Sequence, residues 1–219
     1  MTGRDGWLVY ACRTDFTADV LAILERLGEP VAALVDNLPG NDAVPGAIRP
    51  ADLDDDLRAR PAVIPLITPG HRHVVVAEAR DQGITQFPPL VDPTAIAPSS
   101  TTIGEGAVVN AGVVVGGSVT IGRFTHVNRS ASIGHHSLLH DLVTLGPGCV
   151  LAGRVEVHPG AFVGAGAVIA PKVVVGANAV VGAGAVVLRD VPPGSVVVGN
   201  PSTVLRQDGT GYGGVVVPT

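Results

Sequence analysis

The sequence predicts two unlike parts: an α/β segment with a small Rossmann-like parallel sheet over residues 1–90, then a parallel β-helix over residues 91–206 and a Gly-rich tail, 207–219. Three observations carry this. Fifteen aliphatic residues recur six apart without a miss, from Ile103 through Val187. A small or β-branched residue stands four places after each of them, from Ala107 through Val191. Ahead of them, apolar runs alternate with stretches of helical spacing, the pattern of strand–helix units around a parallel sheet.

In the first part, residues 7–12 are an apolar run and read as a strand. Val20, Ile23, Leu24 and Leu27 recur at helical spacing and stop at Gly28, which places a helix over residues 17–27. A second strand over 30–35 ends at Asp36, and a polar loop continues to Gly46. A short charged helix is expected over 52–60, a third strand over 62–68, a helix over 71–82 and a fourth strand over 84–87. The join falls at residues 88–91, and residues 91–93 and 97–99 already fit the six-residue register. Each hexad makes one short strand and one corner, and three hexads close a triangular coil. Fifteen hexads from Ile103 make five coils, stacked ~4.8 Å apart as neighbouring strands are. Asp190-Val191-Pro192-Pro193-Gly194 ends the stack, and the tail carries no pattern.

Composition agrees. Apolar residues make up 46 % of the chain, too many for disorder despite 29 Gly and 18 Pro. Aromatic residues are only 3 %, which suits a narrow interior filled by Val, Ile and Ala. No uninterrupted apolar stretch spans a bilayer, and Met1 to Gly6 lack the start of a signal peptide. The net charge of −5 argues against nonspecific nucleic-acid binding. Cys12 and Cys149 show neither metal nor disulfide spacing, so the expected location is cytoplasmic, without membrane insertion.

Chemistry is expected on the outer surface of the β-helix. Five of the seven histidines lie there: His126, His135, His136, His140 and His158. His135 and His136 occupy a corner, where side chains point outward, and a histidine there can take a proton near neutral pH if a partner fixes its tautomer. His140 and His158 are 18 apart, one coil above the other.

Val127-Asn128 through Ile133-Gly134-His135, Leu151-Ala152-Gly153, and Asp190-Val191-Pro192-Pro193-Gly194 leading to Gly199-Asn200-Pro201-Ser202, behind a small Rossmann-like domain, resemble the two-domain bacterial hexapeptide-repeat sugar acetyltransferases. These include the sialic-acid O-acetyltransferases and the UDP-4-amino-sugar N-acetyltransferases. The resemblance implies a left-handed helix, a homotrimer, and acetyl-CoA in the groove between adjacent prisms. It makes His135 the catalytic base, Asn128 a polar active-site residue, and Gly153 the donor of an N–H to the thioester carbonyl. Gly153 together with Gly199, Asn200 and Pro201 is implied to bind CoA. The acceptor is then a sugar, nucleotide-linked and amino-bearing, and no metal is expected.

The chain departs from that family at several points. An acidic residue usually precedes the base, where Gly134 stands here, leaving Asp141 or a neighbouring chain to orient His135. Thr144 stands where relatives have a second histidine. The first turn, residues 11–16, has no glycine with which to approach a phosphate. Arg13 can meet one by its side chain instead. Asp36, which matches an acidic position of relatives, completes the expected acceptor site with Asn37.

Three other readings stay open on the sequence. The acceptor could be a small amine or alcohol without a nucleotide. His135 and His140, five apart, resemble the spacing of γ-class carbonic anhydrases, although a third histidine at a suitable corner is missing. The missing glycines and acidic partner also fit a scaffold that has lost its activity.

Overall fold

The computed structural model describes residues 6–40 and 44–218. Part of the expected polar loop (41–43), most of the start that lacks a signal-peptide pattern (1–5), and the last tail residue lie outside the described residues.

The first part is a three-stranded parallel sheet with β1 (Trp7–Tyr10) between β2 (Val31–Val35) and β3 (Ala62–Val63). Helix α1 (Thr17–Leu27) connects β1 to β2 and ends on Gly28, whose φ of 68° places it in the left-handed conformation that glycine adopts at no steric cost. The expected helix over 52–60 splits in two. A 3₁₀ turn, Pro50–Asp52, precedes α2 (Asp55–Arg58), and Asp54 caps α2 by accepting from Leu57 N–H at 2.8 Å. β3 is shorter than the apolar run implies, because Pro65 has no N–H to continue the ladder. Helix α3 (Pro69–Asp81) starts earlier than its spacing implies, with Pro69 in its first turn. Residues 84–87 do not form the expected fourth strand: they make one strand-like bond, Ala62 N–H to Gln86 O at 2.9 Å, while Ile84 and Phe87 are buried beneath the sheet.

The second part is a left-handed parallel β-helix whose repeating strands, up to Val186–Val187, are two residues long. The first residue of each strand faces out and the second, the aliphatic of the repeat, faces in. Leu90–Val91 already pairs with Val108–Val109, so the coils begin at the join. The strands stack into three faces. The long face runs from Leu90–Val91 through His126–Val127, Thr144–Leu145 and Phe162–Val163 to Ser195–Val198. The valine face contains Val114–Val115, Ser132–Ile133, Val150–Leu151, Val168–Ile169 and Val186–Val187. The third face contains Thr120–Ile121, Leu138–Leu139, Glu156–Val157 and Val174–Val175. Large inward residues such as Ile133, Leu139 and Leu145 share the interior with Ala131, Val143 and Cys149, and all are essentially inaccessible. Burial pushes the Cys149 thiol up to about 12, so it behaves as a small apolar filler.

The sheet domain docks on the long face. Leu90 and Val108 belong to one apolar cluster with Val9, Val20 and Leu24. His126 lies fully buried against the ring of Phe16, 4.8 Å between centroids. Burial, and then the Arg72 cation, hold its pKa well below the usual histidine value, so it is neutral. Arg72 of α3 is itself fully buried, and its guanidinium donates to Phe124 O (2.7 Å), Leu142 O and Val143 O (3.0 Å each), Thr144 Oγ1 (3.0 Å) and Leu66 O. Burial pushes its pKa down to about 9, which leaves it charged at neutral pH. Asp92, at the first coil, accepts from Arg26 of α1 at 2.7 Å.

The tail is not structureless. Thr203–Gln207 returns antiparallel along Ser195–Val198. Tyr212 then stacks on Phe162 of the long face, 3.6 Å between centroids and 2° from parallel. Val217 is clamped by Asn178, which accepts from its N–H (2.8 Å) and donates to its carbonyl (2.9 Å). Val215 lies so close to α3 that a Cβ on Gly70 would come 2.2 Å from its carbonyl oxygen. Tyr212 and Val217 find partners only in three dimensions, which a one-dimensional pattern cannot report.

Candidate functional site

Residues that follow equivalent strands share a corner, so the expected site residues can be sorted by corner. His135 follows Ser132–Ile133 of the valine face and Gly153 follows Val150–Leu151 one coil later; both lie at the corner between the valine and third faces. The exposed His135 ring covers the Gly153 backbone: a Cβ on Gly153 would come 2.7 Å from Nε2 and 2.8 Å from Cε1. Only glycine lets the ring lie there. Among the described residues, the Gly153 N–H makes no backbone hydrogen bond, and it is free to donate.

His136 fixes the ring. Its Nδ1 is 3.0 Å from His135 Nδ1. Two imidazoles can share one hydrogen there in either direction, and only when His135 Nδ1–H donates does His135 Nε2 keep a lone pair. His136 sits at φ 59°, held by its N–H on Gly117 O at 2.9 Å. The sequence left this orienting role to Asp141 or another chain. Asp141 is instead taken by Arg123, which donates from its backbone N–H (2.7 Å) and from Nε (2.9 Å).

Asn128 follows His126–Val127 of the long face and therefore lies at a different corner, between the long and valine faces. Its Oδ1 accepts from Arg129 N–H at 2.8 Å. Gly146, Gly164 and Gly182 stand above it at the same place in successive coils, and Gly199-Asn200-Pro201 closes the column, with Gly199 O accepting from Val186 N–H at 3.0 Å. A groove of about 320 Å³ runs along this corner between Asn128 and Ala183, walled by Ile67, Phe162 and Tyr212. Small residues make it narrow and mostly apolar. Thr144 opens on it too, but its hydroxyl is spent on Ile67 O at 2.6 Å. His135 with Gly153, and Asn128 with Gly199, Asn200 and Pro201, are thus separated by the whole valine face. That face is apolar and open: Val114, Val150 and Val168 are each at least 40 % exposed.

The expected acceptor residues cluster at the carboxyl ends of the parallel strands. Arg13 donates from Nη2 (2.6 Å) and Nε (3.1 Å) to Asp36, and Asp36 also accepts from Leu38 N–H (3.1 Å). Burial alone would raise the Asp36 carboxyl; Arg13, Leu38 N–H and Arg49 outweigh it and hold it below its ordinary value. Asn37 donates to Glu78 at 2.8 Å. Arg13 and Asn37 line a cleft of about 390 Å³ with Ala11, Leu66, His71 and Val74. Asp36 is buried behind Arg13 rather than open to the cleft.

Residues 154–189 match the bacterial transferase hexapeptide (six repeats) family. No curated protein matches the chain. Among solved structures, PerB from Caulobacter crescentus in complex with CoA and GDP-perosamine is 31 % identical, over 92 % of this chain and 97 % of that one, with a TM-score of 0.81. The acetyltransferase domain of PglB from Neisseria gonorrhoeae, in complex with acetyl coenzyme A, is 26 % identical over 93 % and 100 %, also at 0.81. The chain belongs to the hexapeptide-repeat sugar acetyltransferases.

The expectation of an acetyl-CoA-dependent sugar acetyltransferase therefore holds. For this sugar acetyltransferase, sequence reasoning missed three contributors. The contact of His136 Nδ1 with His135 Nδ1 depends on a turn conformation that the sequence pattern does not report. Tyr212 reaches the groove only because the tail folds back. The Arg72 anchor has no charge partner to betray it in the sequence. The γ-carbonic-anhydrase reading finds no support in one chain, since His135 precedes Leu138–Leu139 and His140 follows it, at opposite ends of one strand.

Proposed function

We propose that this enzyme transfers acetyl from acetyl-CoA to the amine of a nucleotide-linked amino sugar, with His135 as general base, as a homotrimer. The observation that carries the assignment of roles is the His135 ring lying over the Gly153 backbone. It supports a reading in which the base lies beside a residue whose N–H is unspent.

The thioester supplies an already activated acyl group, so a base and an oxyanion donor are the groups the protein must provide. His135 Nε2 takes the proton from the acceptor amine as the amine nitrogen attacks the thioester carbonyl; the C–S bond then breaks, and His135 returns the proton to the departing CoA sulfur, which leaves as the thiol. His136 accepts from His135 Nδ1–H, the direction that leaves the Nε2 lone pair free. Gly153 N–H donates to the carbonyl oxygen of the acyl group, where negative charge develops. General-base catalysis of this kind supplies ~10²–10⁴-fold, and positioning supplies more. Asn128, Gly199, Asn200 and Pro201 hold the CoA side.

The exposed valine face supports the trimer. Three copies that turn this face to a common axis cover an apolar surface and bring the Asn128 corner of one protomer against the His135 corner of the next. The two halves of the site then meet. Residues 1–90 form the acceptor domain, residues 91–206 the catalytic β-helix, and Arg13 with Asn37 meets the anionic part of the acceptor in the cleft above β1 and β2. PerB's complex with CoA and GDP-perosamine supports a nucleotide-linked amine as acceptor.

The test is thiol release from acetyl-CoA with nucleotide-linked 4-amino sugars, GDP-perosamine among them, and with small amines as comparison. Turnover with a nucleotide-linked amine, lost in His135→Ala, is expected. Turnover with small amines alone would move the acceptor reading to its alternative. No turnover with any acceptor, together with no CoA binding by calorimetry, would favour the inactive scaffold.

A further inference from the structure

One cluster of metal-ligating side chains lies outside both corners described above. His140 follows Leu138–Leu139 and His158 follows Glu156–Val157, and the parallel pairing of those strands stacks one histidine over the other. Their ring centroids are 4.9 Å apart and the planes differ by 31°. Glu156 faces out from the later of these two rungs. Its Oε1 is 2.9 Å from His140 Nε2 and 3.2 Å from His158 Nε2, and the three donor atoms lie within 4.8 Å of one another.

The backbone beneath these groups is rigid. His140 N–H donates to Val157 O and His158 N–H to Val175 O, both at 2.9 Å. The same place in the coil below is Gly122 and in the coil above Gly176. A Cβ on Gly122 would come 2.5 Å from the His140 carbonyl carbon. The column thus holds two imidazoles and no side chain above or below them. All three side chains are between 33 % and 39 % exposed, so an ion has access.

We propose that His140, Glu156 and His158 form a binding site for one Zn²⁺ ion per chain. Two imidazole nitrogens and a carboxylate oxygen are the donor set that zinc favours, and hard cations such as Mg²⁺ take oxygen ligands instead. With bonds of about 2.1 Å, ligands around a tetrahedral ion sit roughly 3.4 Å apart. The two Glu–His separations are already near that value, and the histidines close on each other by small ring rotations. To bind the ion, each imidazole gives up the Nε2 hydrogen it can share with Glu156 and keeps its hydrogen on Nδ1. Three protein ligands leave the fourth position to water. The ion ties two neighbouring coils together at a corner that carries neither His135 nor Asn128. The proposal is independent of the acetyl-transfer reading.

The test uses the full chain without a histidine tag, freed of metal by a chelator and titrated with Zn²⁺ by calorimetry. Bound metal is counted by elemental analysis. One equivalent per chain and a raised Tm are expected. His140→Ala, His158→Ala and Glu156→Gln should each weaken binding by at least ~10-fold, as loss of a ligand exceeds loss of an outer partner. These exposed substitutions should leave the metal-free Tm near that of the unsubstituted chain. His136→Ala is the control for the other histidine pair and should keep the equivalent. Absence of binding, one equivalent retained in a His140→Ala/His158→Ala double variant, or loss of the equivalent in His136→Ala would each overturn the assignment.

Discussion

Gly153→Ala isolates the geometry of the proposed site from the stability of the fold. Gly153 is not among the glycines at positive φ, so alanine fits its backbone without strain. The added Cβ meets His135 at 2.7 Å from Nε2. A comfortable contact is about 3.5 Å, so the ring has to recede by about 0.8 Å. Because the ring is exposed, it swings into solvent at little cost, and stability should stay within about 0.5 kcal/mol of the unsubstituted protein. Catalysis is far less tolerant, since a misplacement of about 1 Å can cost ~10²-fold. The expected result is kcat lower by ~10²-fold in the thiol-release assay with an unchanged Tm. In a His135→Ala background the same substitution should have no further effect, because the ring it displaces is gone. A kcat within twofold in the single variant, or an equal loss in both backgrounds, would refute the placement of base and N–H donor on one spot.

Other consequences can be measured with the same preparations. His136→Ala should lower kcat about 10-fold while leaving the acetyl-CoA KM unchanged, whereas His136→Asn, which tolerates positive φ and offers Oδ1 to His135 Nδ1–H, should recover most of the activity. Arg72→Met strands the carbonyls of Leu66, Phe124 and Leu142, takes one of two partners from Val143 O and Thr144 Oγ1, and should cost at least ~3 kcal/mol by denaturant unfolding. At Asp92, burial alone would raise the carboxyl, but Thr94 and Arg26 outweigh it and hold it below its ordinary value. Its contribution is therefore complete above the unfolded-state value of about 3.9 and is lost as pH falls through the lower folded value. Asp92→Asn should lower Tm at pH 7, with the gap to the unsubstituted protein narrowing below about pH 4.

The β-helix was legible because every rung imposes the same demand on the same two positions, so Ile133 and Ala131 report the register as well as any other pair. Helix α1 was legible for a similar reason: its apolar stripe and Gly28 are local. The third strand and the short helix were drawn too long, because Pro65 and Asp54 set ends that hydrophobicity does not mark. The candidate site was legible as residues but not as an arrangement. Asn128 and His135 are close in sequence yet lie on two corners, a separation that follows from the triangle. His136 as the partner of His135, Arg72 as an anchor on carbonyls, and Tyr212 on Phe162 all depend on contacts between distant segments.

A stack of interchangeable rungs has no inherent length: each coil offers the next a row of free N–H and C=O groups, and a second molecule could supply the continuation as well as the chain itself. At the end of the long face the direction reverses. Thr203–Gln207 runs antiparallel to Ser195–Val198, and all five of its residues are exposed. The added strand offers an incoming coil the wrong polarity and a register that shifts between Val196 and Val197. On this face the short hairpin leaves no edge parallel to the coil strands for a second molecule to extend.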